Sequence, residues 1–119
     1  MTFTVFGKLP GLNEYTNANR GNRFQGAKLK KSAESEVIWS IKRDLPNVHI
    51  KVPVFVDFRW IEANKKRDLD NIASAKKFIF DGMVKAELIP NDNWQWVRGF
   101  EDHFEVGEPR VIVTIREVE

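Results

Sequence analysis

Hydrophobic residues recur with a period of two over residues 2–6 and 50–60, a pattern typical of β-strands, and two later segments also favour strands. The predicted strands are residues 2–6, 50–60, 94–104 and 110–118. Segment 50–60 is the most regular of them, and Pro53 within it predicts a sheet edge or a bulge. A Gly-Glu-Pro turn at residues 107–109 joins the last two strands.

Two further segments space their apolar residues as amphipathic helices do. Residues 27–45 contain neither glycine nor proline, and Pro46 marks the end of the predicted helix. Residues 71–87 form the second helix, which ends before Pro90. Residues 9–26 are rich in asparagine, glycine and proline and are predicted as a long irregular loop. The element order β-α-β-α-β-β predicts an α+β fold with a small mixed sheet and two helices.

Length and composition narrow the class of protein. A chain of 119 residues and 13.8 kDa has the size of one domain, which we expect to cover residues 1–119. The absence of cysteine excludes disulfides, thiol nucleophiles, cysteine-ligated zinc and iron–sulfur clusters. No apolar run approaches the ~20 residues of a membrane span, and residues 1–6 lack the pattern of a signal peptide. We therefore expect a cytoplasmic protein that contacts no membrane.

Charge is distributed unevenly along the chain. Residues 1–31 hold six basic side chains and one acidic one, whereas residues 61–119 hold nine basic and twelve acidic side chains. A basic N-terminal segment and an acidic C-terminal segment indicate a polyanion-binding surface beside a site that needs carboxylates. Taken alone, the charge pattern is better explained by chance asymmetry on a solvated surface.

The densest group of chemically useful residues is the string KKRDLDN at residues 65–71, between the second strand and the second helix. In an extended segment, Asp68 and Asp70 would project to the same side. Two carboxylates that follow three cations suit Mg²⁺ or Mn²⁺ bound together with a phosphate. The alternative is that Asp70 merely caps the helix and Asp68 is solvated.

The second helix carries a polar stripe opposite its apolar one. Its members are Asp70, Ser74, Lys77 and Asp81. Lys77 thus lies on the face of the carboxylates, although it could simply form an i,i+4 ion pair with Asp81. Lys76 projects on the apolar side, so it must extend to the surface or meet a partner chain. Asp92, in the turn after the helix, offers a third carboxylate, although such residues are also ordinary turn formers.

The strings KKRDLDNI, FDGM and IPNDNW, together with LPGLNEYTNANRG near the N-terminus, resemble the RusA-type Holliday-junction resolvases. The resemblance covers nearly the whole chain. It implies a Mg²⁺-dependent endonuclease, with Mn²⁺ as a substitute, that cuts four-way DNA junctions by paired nicks in recombination and repair. It also implies a two-fold homodimer, no small-molecule cofactor and an origin in a phage or prophage.

The resemblance assigns roles to individual residues. The paired catalytic aspartates and metal ligands correspond to Asp68 and Asp70, and the third carboxylate corresponds to Asp92. Lys77 would orient the phosphate, with Lys76 as a rival because the helix is three residues longer here than the family pattern. The implied DNA contacts are Arg67, Lys65, Lys66, Arg20, Arg23, Lys28, Lys30 and Lys31.

Helix length bears on how Asp92 reaches the pair. A continuous helix over residues 71–87 is about 25 Å long, and residues 88–92 recover at most about 17 Å. Asp92 therefore meets Asp70 of its own chain only if that segment runs straight back. A composite site follows if two subunits pack these helices antiparallel, so that Asp92 of one subunit joins the aspartate pair of the other.

Two other functions fit the same residues. One is a non-catalytic nucleic-acid-binding domain, in which the aspartate pair is a cap and a solvated charge. The other is a related metal nuclease that acts on other branched DNA or on RNA. Metal-dependent cleavage of DNA excludes the first, and a panel of substrates identifies the second.

Overall fold

A computed structural model describes residues 1–118. Its elements are β1 (Thr2–Phe6), α1 (Leu12–Gly21), α2 (Arg23–Asp44), β2 (Val54–Glu62), α3 (Leu69–Ala73), α4 (Lys76–Lys85), β3 (Val97–Val106) and β4 (Arg110–Glu117). The predicted α+β class and mixed sheet are confirmed. The observed order, β-α-α-β-α-α-β-β, contains two more helices than the predicted one.

The four strands form one sheet in the order β1-β4-β2-β3. β2 pairs parallel with β3 and antiparallel with β4, and β4 pairs antiparallel with β1. Of the two alternatives that Pro53 predicted, the sheet edge is wrong, because β2 is a central strand; the bulge is supported, because the register of β2 and β3 shifts between Val54 and Phe55. Pro53 precedes the first ladder residue, Val54, so its missing N–H leaves no gap in the sheet, and its carbonyl accepts a hydrogen bond from Val118.

The core lies between the sheet and the longer helices. The inner face of β2 buries Val56, Phe58 and Trp60, and α2 and α4 pack closely against each other. A Cβ at Gly82 would lie only 2.6 Å from Cγ1 of Val37, so the two helix backbones approach at the one α4 residue without a side chain. This close packing fixes the position of α4, which carries the predicted lysines.

The prediction of a long loop over residues 9–26 is wrong. The segment folds into α1 and the start of α2, which form a helical hairpin joined by Asn22. The N-terminus of α1 is stabilised by residues far along the chain. The backbone N–H of Leu12 donates to Ser74 Oγ at 2.7 Å, and that of Asn13 donates to Asn71 Oδ1 at 3.0 Å.

The prediction of one continuous helix over residues 71–87 is also wrong. Ser74 and Ala75 separate α3 from α4, and the hydrogen bonds there span three residues instead of four. α4 ends at Lys85, and Glu87 has a left-handed φ of 60° ahead of Pro90. None of the helices within residues 1–118 has the length and apolarity needed to cross a bilayer.

Candidate active site

The aspartate pair lies at the start of α3. Asp68 is the N-cap residue, with an extended backbone, and Asp70 lies in the first turn, so the fully extended segment predicted for the pair is replaced by a helix start. Asp68 makes no side-chain capping bond. Asp70 accepts one bond, at 3.0 Å from the N–H of Asn71. Both residues are exposed, and neither carboxylate forms an ion pair within residues 1–118. The two carboxylates are therefore accessible to a cation.

Asp68 lines a depression of about 680 Å³ at the end of β2 and β3. Lys65 and Arg67 line it too, and the opposite wall is formed by residues 104–106 of β3. Lys65 and Lys66 are exposed in the loop before α3. The cationic side chains that the string KKRDLDN contributes therefore lie beside Asp68.

Arg67 is held by protein acceptors. Its Nε and Nη2 donate to the two carboxylate oxygens of Glu62, both at 2.9 Å, and its Nη1 contacts Glu14 Oε1 and the carbonyl of Leu9 at 3.4 Å. The side chain is only 14% exposed. Arg67 therefore joins the end of β2 to the start of α1 and fixes the segment that leads into Asp68.

Of the two candidate lysines, Lys77 is the one whose ammonium group is exposed. It forms the i,i+4 ion pair with Asp81, at 3.0 Å, while its side chain remains 70% exposed. The hydrogen bond to Asp81 raises the pKa of Lys77 most; burial opposes the rise, and the negative charges of Asp81, Asp92 and Glu34 add to it. Lys77 is therefore a cation at neutral pH, close to Asp92.

Lys76 is partly buried within its own chain, with 14% of its side chain exposed. Its Nζ donates to Asp102 Oδ2 at 2.5 Å and lies 3.9 Å from the ring centre of Phe100. Asp102 also accepts a 2.8 Å hydrogen bond from Trp60 Nε1. The expectation that Lys76 extends to the surface or needs a partner chain is wrong, because β3 supplies its counter-charge.

Asp92 lies at the other end of the helical segment from the pair. It lines a depression of about 360 Å³, whose polar lining residues are Lys30, Lys77, Asp81, Lys85, Asn91 and Asp92. It also borders residues 97–100, at the start of β3, whereas Asp68 borders residues 104–106. Residues 100 and 104 of a strand are four steps apart, a distance of about 13 Å. One chain therefore does not bring the three predicted ligands together.

Lys85 lines the same depression as Asp92 and pairs with Glu34, and neither residue was predicted as part of a site. Glu34 is buried on α2, and Lys85 of α4 donates to its Oε1. Lys30 Nζ lies 3.9 Å from the other oxygen, Oε2, which has no hydrogen-bond partner among residues 1–118. The contact depends on the packing of α2 against α4, which a helical periodicity does not reveal.

A second group of potential ligands lies on the outer face of the sheet. Asp57, Glu101 and His103 place one ligating atom each within 4.8 Å of one another, and within residues 1–118 they are the single group of three that does so. None of them is a predicted ligand. The parallel register of β2 and β3 pairs Asp57 with Glu101, and the contact of Glu101 with His103, at 3.3 Å, accounts for much of the clustering.

The remaining predicted DNA contacts lie on the α1–α2 hairpin. The exposed members are Arg20, Arg23, Lys28 and Lys31. Lys30, between Lys28 and Lys31 on α2, is half-buried beside Lys77. The hairpin therefore brings Arg20 and Arg23, which were predicted to lie in a loop, onto the same element as the lysines that were predicted to lie in a helix.

Comparison with known proteins gives two matches. A sequence model of the family described as endodeoxyribonuclease RusA matches residues 10–116. The chain is also 30% identical over 109 residues to the crossover junction endodeoxyribonuclease RusA of Aquifex aeolicus (strain VF5), an alignment that covers 91% of this chain and 83% of that protein. The matched region contains both the aspartates at the start of α3 and the basic hairpin.

Proposed function

Because this chain belongs to the RusA family of endodeoxyribonucleases, we propose that it resolves Holliday junctions by paired, Mg²⁺-dependent nicks in DNA recombination and repair. The curated relative is named as a crossover junction endodeoxyribonuclease, and four-way junctions are the branched DNA to which that name refers. The observation that carries the proposal is the aspartate pair at the start of α3, exposed and without a neutralising cation.

Asp68, Asp70 and Asp92 would hold the metal. Their donors are carboxylate oxygens, which Mg²⁺ and Mn²⁺ prefer. A divalent cation, when bound, supplies an activated water and neutralises charge on the scissile phosphate. Lys77 adds a fixed positive charge beside Asp92, where it can stabilise the charge that develops on the phosphate.

A catalytic centre composed of two subunits fits the separation of the ligands. Asp92 and Asp68 border opposite ends of β3 in one chain, so a second chain is the simplest source of the missing ligand for each. A four-way junction has two-fold symmetry, and a two-fold homodimer presents two such centres for paired incisions.

Basic residues on two elements would contact the DNA backbone. Lys65 and Lys66 lie next to the aspartate pair, and the hairpin carries Arg20, Arg23 and the lysines of α2. Arg67 acts differently in this proposal. Its guanidinium already binds Glu62 and Glu14. Arg67 therefore positions Asp68 and does not contact a phosphate.

The proposal is tested by cleavage of a synthetic four-way junction. Purified protein is incubated with the junction, with a duplex of the same sequence, with a flap and with a single-stranded RNA, each with Mg²⁺ or with EDTA. We expect paired cuts near the crossover that need the metal and leave the duplex intact. Binding without cleavage would support a non-catalytic domain, and preferential cleavage of the flap or the RNA would support a different nuclease.

A further inference from the structure

Phe24 is the most exposed apolar residue of the α1–α2 hairpin. It follows the one-residue connection at Asn22, in the first turn of α2, and is 83% exposed. The other exposed aromatic residue of the hairpin, Trp39, is covered by Lys42, whose Nζ lies 5.8 Å from the ring centre. Within residues 1–118, Phe24 neither stacks on another ring nor lies beneath a cation.

The hairpin holds Phe24 in a fixed position. The side chain of Asn22 accepts a 2.7 Å hydrogen bond from the backbone N–H of Phe24. A Cβ at Gly26 would lie 1.6 Å from Asn19 Oδ1 and 3.4 Å from Asn19 Cα, so α1 and α2 approach closely at a residue without a side chain. The backbone that carries the ring is therefore held in place, and little backbone freedom is lost when the ring contacts a partner.

The charge around Phe24 indicates which partner it meets. No acidic residue occurs between Glu14 and Glu34, a stretch that contains five basic side chains: Arg20, Arg23, Lys28, Lys30 and Lys31. Asparagine and glutamine supply most of the other polar groups near the tip. One aromatic ring in such a surface is typical of nucleic-acid binding, in which cations contact phosphates and the ring stacks on a base.

We propose that Phe24 stacks on an unpaired or unstacked base at the branch point of the junction and thereby favours junctions over duplexes. The inference rests on the proposed function. A continuous duplex stacks each base between its neighbours and offers the ring no face, whereas the branch point interrupts that stacking. The basic residues of the hairpin contact backbone in both substrates, so Phe24 is the part of the hairpin that distinguishes them.

The test uses junctions that carry 2-aminopurine at the branch point, bound in the Asp70→Asn background so that the DNA is not cut. The base reports stacking through its fluorescence, and affinity for junction and duplex is measured on the same samples. We expect Phe24→Ala to weaken junction binding about 5- to 150-fold, with little change for the duplex, and to abolish the fluorescence change. Phe24→Trp should restore both. Trp39→Ala, an exposed aromatic of the same helix, is the matched control and should change neither.

Two results would overturn the inference. In one, Phe24→Ala keeps both the fluorescence change and the junction preference; in the other, Trp39→Ala loses them to the same extent. Either result leaves the proposed function intact as long as the protein with Phe24 still cuts junctions. Failure of the unmodified protein to cut or prefer junctions would contradict the proposed function itself. Thermal unfolding of each variant confirms that the hairpin change leaves the fold in place.

Discussion

Arg67 and Glu62 form a two-point ion pair, in which Nε and Nη2 of the guanidinium each donate to a separate carboxylate oxygen at 2.9 Å. The side chains are 14% and 15% exposed. Because the pair joins the last residue of β2 to the residue before Asp68, it sets where the aspartate pair emerges from the sheet.

Arg67→Ala should lower the free energy of unfolding by about 2 kcal/mol, because it leaves the Glu62 carboxylate mostly buried without its cation. Lys66→Ala, at an exposed neighbouring position, should change it by less than about 0.5 kcal/mol. Urea unfolding measures both. Equal, small effects in the two variants would show that the guanidinium is not a structural link.

Asp70→Asn should reduce nicking of a junction about 100-fold or more while preserving junction binding. The variant removes the charge of a metal ligand and also relieves repulsion between that carboxylate and the phosphates. Asp57→Asn is the matched control, since Asp57 belongs to the group on the outer face of the sheet. Loss of nicking in the control with normal nicking by Asp70→Asn would place the metal on that face instead.

The two neighbouring lysines should respond oppositely to replacement by alanine. Lys77→Ala should cost at most about 1 kcal/mol of stability, because its side chain is 70% exposed and its ion pair with Asp81 is an i,i+4 pair, but lower the rate of nicking about 100-fold. Lys76→Ala should cost about 2 kcal/mol of stability, because the lysine is only 14% exposed and its loss removes both the counter-charge of Asp102 and the contact with the ring of Phe100. Unfolding and single-turnover nicking are measured on both. A fully active Lys77→Ala protein would exclude Lys77 from the catalytic site.

Asp44 should make stability depend on acid pH. Its carboxylate accepts hydrogen bonds from Arg43, the main cause of its lowered pKa, and from the N–H of Thr4 on the edge strand β1; burial opposes the shift. Since the folded pKa lies below the ordinary value of 3.8, the stabilisation is complete above that pH and is lost as the pH falls through the folded pKa. The stability difference between the unmodified protein and Asp44→Asn should therefore shrink between pH 6 and pH 2. A difference that stays constant with pH would contradict this role.

The elements governed by local periodicity could be predicted from the sequence. The four strands and most of α2 are confirmed, and Asp68 lies between β2 and α3 as predicted, whereas Asp70 lies inside the first turn of α3. α1 could not be predicted, because asparagine and glycine are poor helix formers. Its first N–H groups are instead satisfied by Asn71 and Ser74, more than fifty residues away in the chain.

The sequence predicts which residues form the candidate site, but not how these residues are arranged in space. The aspartate string identifies which residues carry chemistry, but the break between α3 and α4 arises from hydrogen bonding at Ser74, which donates to the carbonyl of Asn71. The burial of Lys76 depends on Asp102 of β3, and the pairing of Glu34 with Lys85 depends on how α2 packs on α4. These contacts join distant segments, so spacing along the chain does not determine them.

The central claim is a metal centre in which Asp68 and Asp70 of one subunit join Asp92 of another. Subunit mixing tests it most directly. Inactive Asp70→Asn and Asp92→Asn proteins are combined, exchange is verified by a mass tag on one of them, and single nicks in a four-way junction are counted. A shared centre leaves each mixed dimer with one intact site, so we predict that nicking returns. Centres confined to single chains leave the mixed dimer with none, and verified heterodimers that do not nick would contradict the claim.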